Sequence, residues 1–468
     1  MSGDPMGRNR HIQPARWVAY DVIRAVTEDD AYANLLLPRL IAEAQLDSQD
    51  AALATELAYG TLRRRGTYDA IIAAAAGRPV EDIDPAVLDA LRLGAHQLLA
   101  TRVAAHAAVN ESVNLVAAEV GRGASGFANA VLRRISRDDA DTWQERIELS
   151  ARSDDERLAL RTAHPVWVIR ALRRALAAEG RTEELDDLLQ ADNASPEVTL
   201  AALPGLAERG EPARPYAPTA FGSPGGDPRM LIAEAEGTVR VQDEGSQLVA
   251  LALAAAAPVR AGERWLDLCA GPGGKTALLA AVAHREGAEL EANEVVPTRA
   301  GLVRAAVRPL PIDVPVHEQD GREFAAQHSA AFDRILVDAP CTGLGALRRR
   351  PEARWRKSPA DVSELVELQT QLLTAALDAL APGGIVAYVT CSPHLAETTG
   401  VVSEVLRVRE DVTQLDAQAV MAQVATSPID LASPPDRPAL HAQLWPHRHG
   451  TDAMFLALLQ RTARKDDQ

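Results

Sequence analysis

The 468-residue chain is poor in cysteine, with only Cys269, Cys341 and Cys391, widely spaced. They make no disulfide framework and no Cys-x-x-Cys zinc pattern, so no metal is expected. Such a chain fits a reducing cytoplasm. A long apolar run is also missing. The longest, Leu248 to Val259, is half alanine, well short of the about 20 residues that span a membrane. The opening stretch MSGDPMGRNRHIQPARW has no apolar segment of the secretory kind. A membrane partner is therefore not expected. No internal repeat is present. Positive charge is short overall: the formal net charge is -16. Averaged over the chain, that opposes a nucleic-acid partner, because phosphate binding runs on Lys and Arg.

The average hides clusters. Segment 346 to 358, ALRRRPEARWRKS, carries Arg348, Arg349, Arg350, Arg354, Arg356 and Lys357 against a single Glu. Segment 121 to 137, GRGASGFANAVLRRISR, has Arg but no acid, and Arg63, Arg64 and Arg65 form a third group. Each suits a solvated helix face. The first lies directly after a cysteine motif, so it is expected to track phosphates, with Trp355 either a stacking surface or a core anchor.

Residues 14 to 136 read as all-helical. Val18, Val22 and Val26, and Leu88, Leu91, Ala95, Leu98 and Leu99, follow helical spacing. Breakers fall between these segments, at GRPVEDIDP (77 to 85) and GRGASG (121 to 126). HPVWVIRALRRALAAEG is a further helix with a Gly stop, followed by a Pro- and Gly-rich stretch that reads as a loop or linker. Beyond about Thr238, short apolar runs (RWLDLC, DRILVDAP, GGIVAYVTCS) alternate with helical ones. That alternation predicts βαβ units and a parallel, doubly wound sheet. The expected domains are 1–137, helical; 138–235, a linker with a small subdomain; and 236–468, α/β.

WLDLCAGPGGKTALLA (265 to 280) is a strand, a Gly-rich turn and a helix start. Ligands of such sheets bind at the carboxyl ends of strands, and a helix N-terminus offers free N–H groups. Walker A would need Gly at position 269, which is Cys269, and Gly-x-Gly-x-x-Gly is absent. Another adenosine-type ligand remains, such as S-adenosylmethionine. Glu294, at the end of the second strand, stands where an acid meets ribose hydroxyls. Asp320, at the end of the third, could meet an adenine amino group.

Cys341 (VDAPC) and Cys391 (YVTCS) end the next two strands and should open onto the same crevice. A lone Cys is usually a small buried hydrophobe. Two thiols beside a methyl-donor pocket suggest covalent chemistry. A thiolate added to cytosine C6 makes C5 nucleophilic, and a base must later remove the C5 proton. Asp338 could bond the N3/N4 edge of the base and stabilise charge. His394 follows Cys391 by three residues, but a protease dyad does not fit a strand-end Cys beside a Gly-rich cofactor turn.

LDLCAGPGGKT, VDAPCTGLG and YVTCS together resemble the Sun/NOL1/NOP2 family of RNA cytosine-5 methyltransferases, over about residues 236 to 468. VQDEGSQ, LQTQLL and TDAMFLALL resemble further motifs of that family. The blocks AYGTLRR, LDALRLGAHQLL, HAAVNESVNLV and FANAVLRRI resemble the RNA-binding NusB family. The resemblance implies a multidomain chain: an all-α NusB-like bundle, then a Rossmann-like, class I S-adenosylmethionine-dependent methyltransferase domain. It also implies a monomer acting on RNA, with 16S rRNA the expected substrate, and not on DNA. By position, Cys391 resembles the nucleophile and Cys341 the thiol that assists product release. A Pro-Cys pair alone would have suggested the reverse, as in DNA cytosine-5 enzymes. Cys269, Ala270, Gly271, Pro272, Gly273, Gly274, Lys275, Glu294, Asp320 and Asp338 resemble the methyl-donor contacts.

The chain departs from the family pattern in places. Glu294 stands where Asp is common, and Thr398 follows Glu397 where Asn is usual. The middle segment lacks the expected Arg-x-Asn, and its strands are hard to find, so a reduced subdomain is expected there. Competing readings are a non-catalytic RNA-binding adaptor, a small-molecule methyltransferase, or an enzyme of the same chemistry acting on another RNA. The intact cysteine pair opposes the adaptor; the helical domain and the basic run oppose the small molecule.

Overall fold

The computed structural model describes residues 12–225, 228–431 and 438–462. It divides into two compact units. The first holds residues up to Arg170 together with Arg349–Arg356, and the second holds the remainder. The expected boundaries at 137 and 235 therefore differ from the division that packing makes.

In the first unit the periodic segments form the helices Pro14–Glu28, Ala33–Glu43, Ser48–Arg63, Arg65–Ala76, Pro85–Ala100, Ala105–Glu119 and Arg122–Ile135. Val18, Val22, Leu88, Leu91 and Ala95 are buried in one core, with Leu98 and Leu99 packed against it. Asp84 starts its helix by accepting the N–H groups of Ala86 and Val87 at 2.9 and 3.2 Å, with Pro85 in the first turn. The breaker at 121 to 126 shrinks to Gly121. Residues from Arg122 onward are helical, because glycines cost a helix only about 1 kcal/mol each and the following apolar face repays that. Helices Ala140–Glu148 and Asp154–Thr162 also belong to this unit.

Segment Arg349–Arg356 completes the first unit. Arg354 is wholly buried and donates to the carbonyls of Arg63 (3.3 Å) and Ala163 (3.1 Å). Glu352 accepts from the Ala33 N–H at 3.3 Å. The Trp355 ring lies against Gly66, where a Cβ would come within 2.3 Å of it. Arg356 donates to the carbonyls of Val26 and Ala31 and stands 5.1 Å over the Tyr32 ring.

The second unit contains two sheets. Strands β1 (Thr199–Ala202), β2 (Ala220–Gly222) and β3 (Val239–Val241) form a small antiparallel sheet in the order β2-β1-β3. Leu200, Ala202, Phe221 and Val239 pack together on it. Two of these strands fall within 138–235, the stretch expected to hold a linker with a small subdomain; of it, 226 and 227 lie outside the described residues. The strands are too short, and too close to Pro and Gly, to show a period of two. The larger sheet holds β4 (Arg264–Asp267), β5 (Glu289–Asn293), β6 (Val316–His317), β7 (Phe332–Asp338), β8 (Leu380–Thr390), β9 (Val412–Leu415), β10 (Ala442–Gln443) and β11 (Phe455–Arg461). Its order is β10-β11-β8-β7-β4-β5-β6, with β9 also on β11. Strands β4 to β8 run parallel, and β11 is antiparallel to β8. Ile335 and Val337 bury one face of β7 and Leu336 the other, the double burial that gives a parallel strand its unbroken apolar run. The chain reverses direction across the sheet between β4 and β7, and that switch point is where such sheets bind ligands.

Candidate active site

The Gly-rich turn leaves β4 after Asp267 and enters helix Gly274–Glu286. Gly273 takes φ 103°, and a Cβ there would lie 2.6 Å from the Ala306 Cβ. Only glycine meets both demands. Glu294 ends β5 as expected and is almost fully buried. Its Oε2 accepts the Gly271 N–H at 2.9 Å, and its Oε1 the Val296 N–H at 3.0 Å. Arg299 donates to the Gly271 carbonyl at 2.6 Å and lies 3.5 Å from Glu294. Asp320 caps helix Gly321–Gln327, and Arg322 grips both its oxygens, which holds the carboxyl below its ordinary range.

Lys275 reaches across the switch point, its Nζ 2.7 Å from Asp338 Oδ2 at the end of β7. Burial works to lower its pKa, but Asp338 outweighs that and holds the ammonium above its ordinary value. Burial pushes the Cys269 thiol well up, with Asp267 and Asp338 adding to it. Cys269 packs against the core cluster that includes Leu266 and Leu268.

Three residues past Asp338, Cys341 meets Cys391 from the end of β8, with the sulfurs 3.4 Å apart. The β7–β8 register, with Asp338 opposite Val389, produces this meeting. Gly345 completes it. Its N–H donates to the Cys391 carbonyl and its carbonyl accepts from Ala453, both at 2.8 Å, while a Cβ would sit 2.2 Å from the Ala453 oxygen. Contact with Cys391 and then burial hold the Cys341 thiol well above its ordinary pKa. His394 Nδ1 accepts the Ala396 N–H at 3.2 Å, and burial lowers its pKa.

The basic run fares differently. Arg348 is buried, donating to the Gly450 carbonyl at 2.9 Å and lying 3.8 Å from Asp243. Arg354 and Arg356 serve backbone carbonyls as described above. Arg348 and Arg354 are buried with their guanidiniums on interior carbonyls, whereas Arg356 keeps partial exposure. Arg349, Arg350 and Lys357 remain partly exposed, and Trp355 proves a packed side chain.

Sequence reading gave no role to two groups. Gln242, inside VQDEGSQ, is buried with its Oε1 unpartnered, its amide carbon 3.7 Å from where a Gly274 Cβ would be. An idle buried acceptor beside a glycine turn and a helix N-terminus suits a ligand carrying both an ammonium and a carboxylate, as the methionyl end of S-adenosylmethionine does. The second group is Glu397, which accepts hydrogen bonds from residues beside both thiols. Its only sequence signal was its place in the Thr-Cys-Ser segment.

A doubly wound sheet with a Gly-rich turn at the switch point and an antiparallel β11 defines a class I methyltransferase domain. The pattern of the family described as 16S rRNA methyltransferase RsmB/F matches residues 254–460, and that of the NusB family matches residues 13–137. A Mycobacterium tuberculosis protein named as a methyltransferase is 49% identical over 97% of this chain and 98% of its own length. The ribosomal RNA small subunit methyltransferase B of Erwinia tasmaniensis is 31% identical, over 95% of this chain and 98% of its own. In fold, the crystal structure of PH0851 is similar with a TM-score of 0.78 at 22% identity, covering 98% of this chain and all of that one. The chain belongs to the 16S rRNA methyltransferase RsmB/F family, preceded by a NusB domain, and its cofactor is S-adenosyl-L-methionine. Among the described residues, no helix is long and apolar enough to cross a membrane.

Proposed function

We propose that the chain methylates C5 of a cytosine in 16S rRNA through a covalent bond between Cys391 and C6 of the base. The observation that carries this reading is the pair of thiols 3.4 Å apart at the ends of adjacent strands, next to the Asp338–Lys275 contact. A buried crevice of this kind takes a base out of its stack, so single-stranded or looped RNA is the natural substrate. Asp338 bonds the N3/N4 edge as the Cys391 thiolate adds to C6. The electron pair of the C5–C6 double bond then moves onto C5. The bound cofactor supplies an electrophilic methyl group, which C5 takes. A base next removes the C5 proton, the double bond re-forms, and the S–C6 bond breaks to return the thiolate.

Cys341 suits the proton removal because its basicity depends on its neighbour. The foremost cause of its raised pKa is the contact with Cys391. Once the Cys391 sulfur carries C6, that contact no longer opposes ionisation, and Cys341 loses its proton more readily. Arg349, Arg350, Arg356 and Lys357 are the partly exposed members of the basic run, and these edges are what it offers to phosphates.

The test incubates Cys341→Ala and Cys391→Ala with 16S rRNA and S-adenosylmethionine and runs both on a denaturing gel. Cys341→Ala is expected to accumulate a protein–RNA adduct, and Cys391→Ala to form none. An adduct with Cys391→Ala instead would exchange the roles. No adduct with either, while the wild type methylates, would remove the covalent mechanism. Parallel assays on total RNA, DNA and small metabolites test the substrate class.

A further inference from the structure

The loops that carry the two thiols end on one buried carboxylate. Glu397 has no exposed surface. Its Oε1 accepts from the Thr342 N–H at 2.8 Å and from Gln369 Nε2 at 3.1 Å. Its Oε2 accepts from Thr342 Oγ1 at 2.5 Å and Ser392 Oγ at 2.7 Å. An ionised carboxylate has about four acceptor directions, and these donors fill them. Thr342 directly follows Cys341, and Ser392 directly follows Cys391. Gln369 also donates to the carbonyl of Pro340, the residue before Cys341, at 2.7 Å. The carboxylate is fixed from behind, since the Tyr388 hydroxyl of β8 donates to the Glu397 carbonyl at 2.7 Å. Glu397 sits in a π-helical turn, Ala396–Gly400, a rare conformation that recurs at functional sites.

We propose that Glu397 is a positioning residue, holding the Cys341 and Cys391 loops at the spacing the reaction needs through Thr342 and Ser392. This rests on the covalent reading above. Burying a carboxylate is costly unless every lone pair is met, and an apolar side chain in its place would leave the Thr342, Ser392 and Gln369 donors unsatisfied. What an apolar residue cannot do is tie two loops from different strands to one point. The loops need such a tie, because a displacement of about 1 Å between reacting groups can cost about a hundredfold in rate.

Glu397→Gln keeps the shape but puts an amide NH2 where a donor must be accepted. It is expected to lower kcat on 16S rRNA by about a hundredfold while leaving KM for RNA and for S-adenosylmethionine within about twofold. In the Cys341→Ala background it should slow adduct formation. It should also slow the closing of Cys341 and Cys391 into a disulfide by the oxidant diamide, which takes up both thiol hydrogens and so reports spacing without RNA. Ser392→Ala and Thr342→Val, each deleting one hydroxyl, should shift kcat and cross-linking in the same direction by less, at unchanged melting temperature; they keep the question open to test if Glu397→Gln folds poorly. Wild-type kcat and cross-linking in all of these variants would overturn the proposal, as would losses that only follow the melting temperature. If neither Cys341→Ala nor Cys391→Ala gives an adduct while the wild type methylates, the covalent reading fails, and the diamide rates still decide the role of Glu397.

Discussion

Asp267 ends β4 almost without contact with water, and that burial governs its titration. Burial raises its carboxyl from the ordinary value to about 7, against the Thr276 hydroxyl bond at 2.7 Å and with the help of the nearby Asp338 charge. In the unfolded chain an aspartate ionises near about pH 3.9. Between there and about pH 7 the folded state keeps a proton that the unfolded state has lost. The contribution is therefore fullest below the lower value and disappears as pH rises through the upper one. Asp267→Asn, which cannot ionise, should lose less melting temperature than the wild type between about pH 5 and about pH 8. Scanning calorimetry at those two values would show it, and equal losses would place the titrating group elsewhere.

Among the elements, Arg349–Arg356 departs furthest from its sequence reading. Its charges suggested a solvated stretch, whereas Arg354 lies inside the first unit on two carbonyls. Arg354→Ala removes both bonds to these carbonyls. The expected loss is about 2–4 kcal/mol in denaturant melts. The salt dependence of RNA binding, measured below the melting point, should keep its slope, whereas a phosphate contact would lower it by about one. Contiguous motifs were readable at this scale. VDAPC, YVTCS and the Gly-rich turn each hold a strand end and its chemistry in one stretch, and the parallel sheet then places those ends together. Glu397 was not readable in its role, because Thr342 and Gln369 lie 55 and 28 residues away along the chain. Nor were β1 to β3, whose three or four residues are too few for a period. Charge alone could not reveal a buried arginine, since only the partner carbonyls distinguish it from a solvated one.

On the scale of the whole molecule, the two compact units do not follow two continuous stretches of sequence. A fragment of residues 1–170 keeps the NusB-matching helices but lacks Arg354 and the Trp355 ring over Gly66. It should exchange backbone amides faster around Gly66 and Ala163 than the intact chain does. A synthetic peptide of residues 346–358 should restore protection. Full protection in the fragment alone would show that the segment is dispensable to the first unit.

The same interleaving sets a timetable for biosynthesis. The ribosome delivers the helices early, but the segment that fills them emerges only after the first half of the larger sheet, β4 to β7, has been made. At about 5–20 residues per second, the nascent bundle stays unfinished on the order of ten seconds or more. Through that interval the slot for Arg354 and Trp355 is open to chaperones or to another nascent chain. Closing it requires the stretch just after Cys341 to have left the exit tunnel, so completion of the first domain reports that translation has passed the catalytic turn.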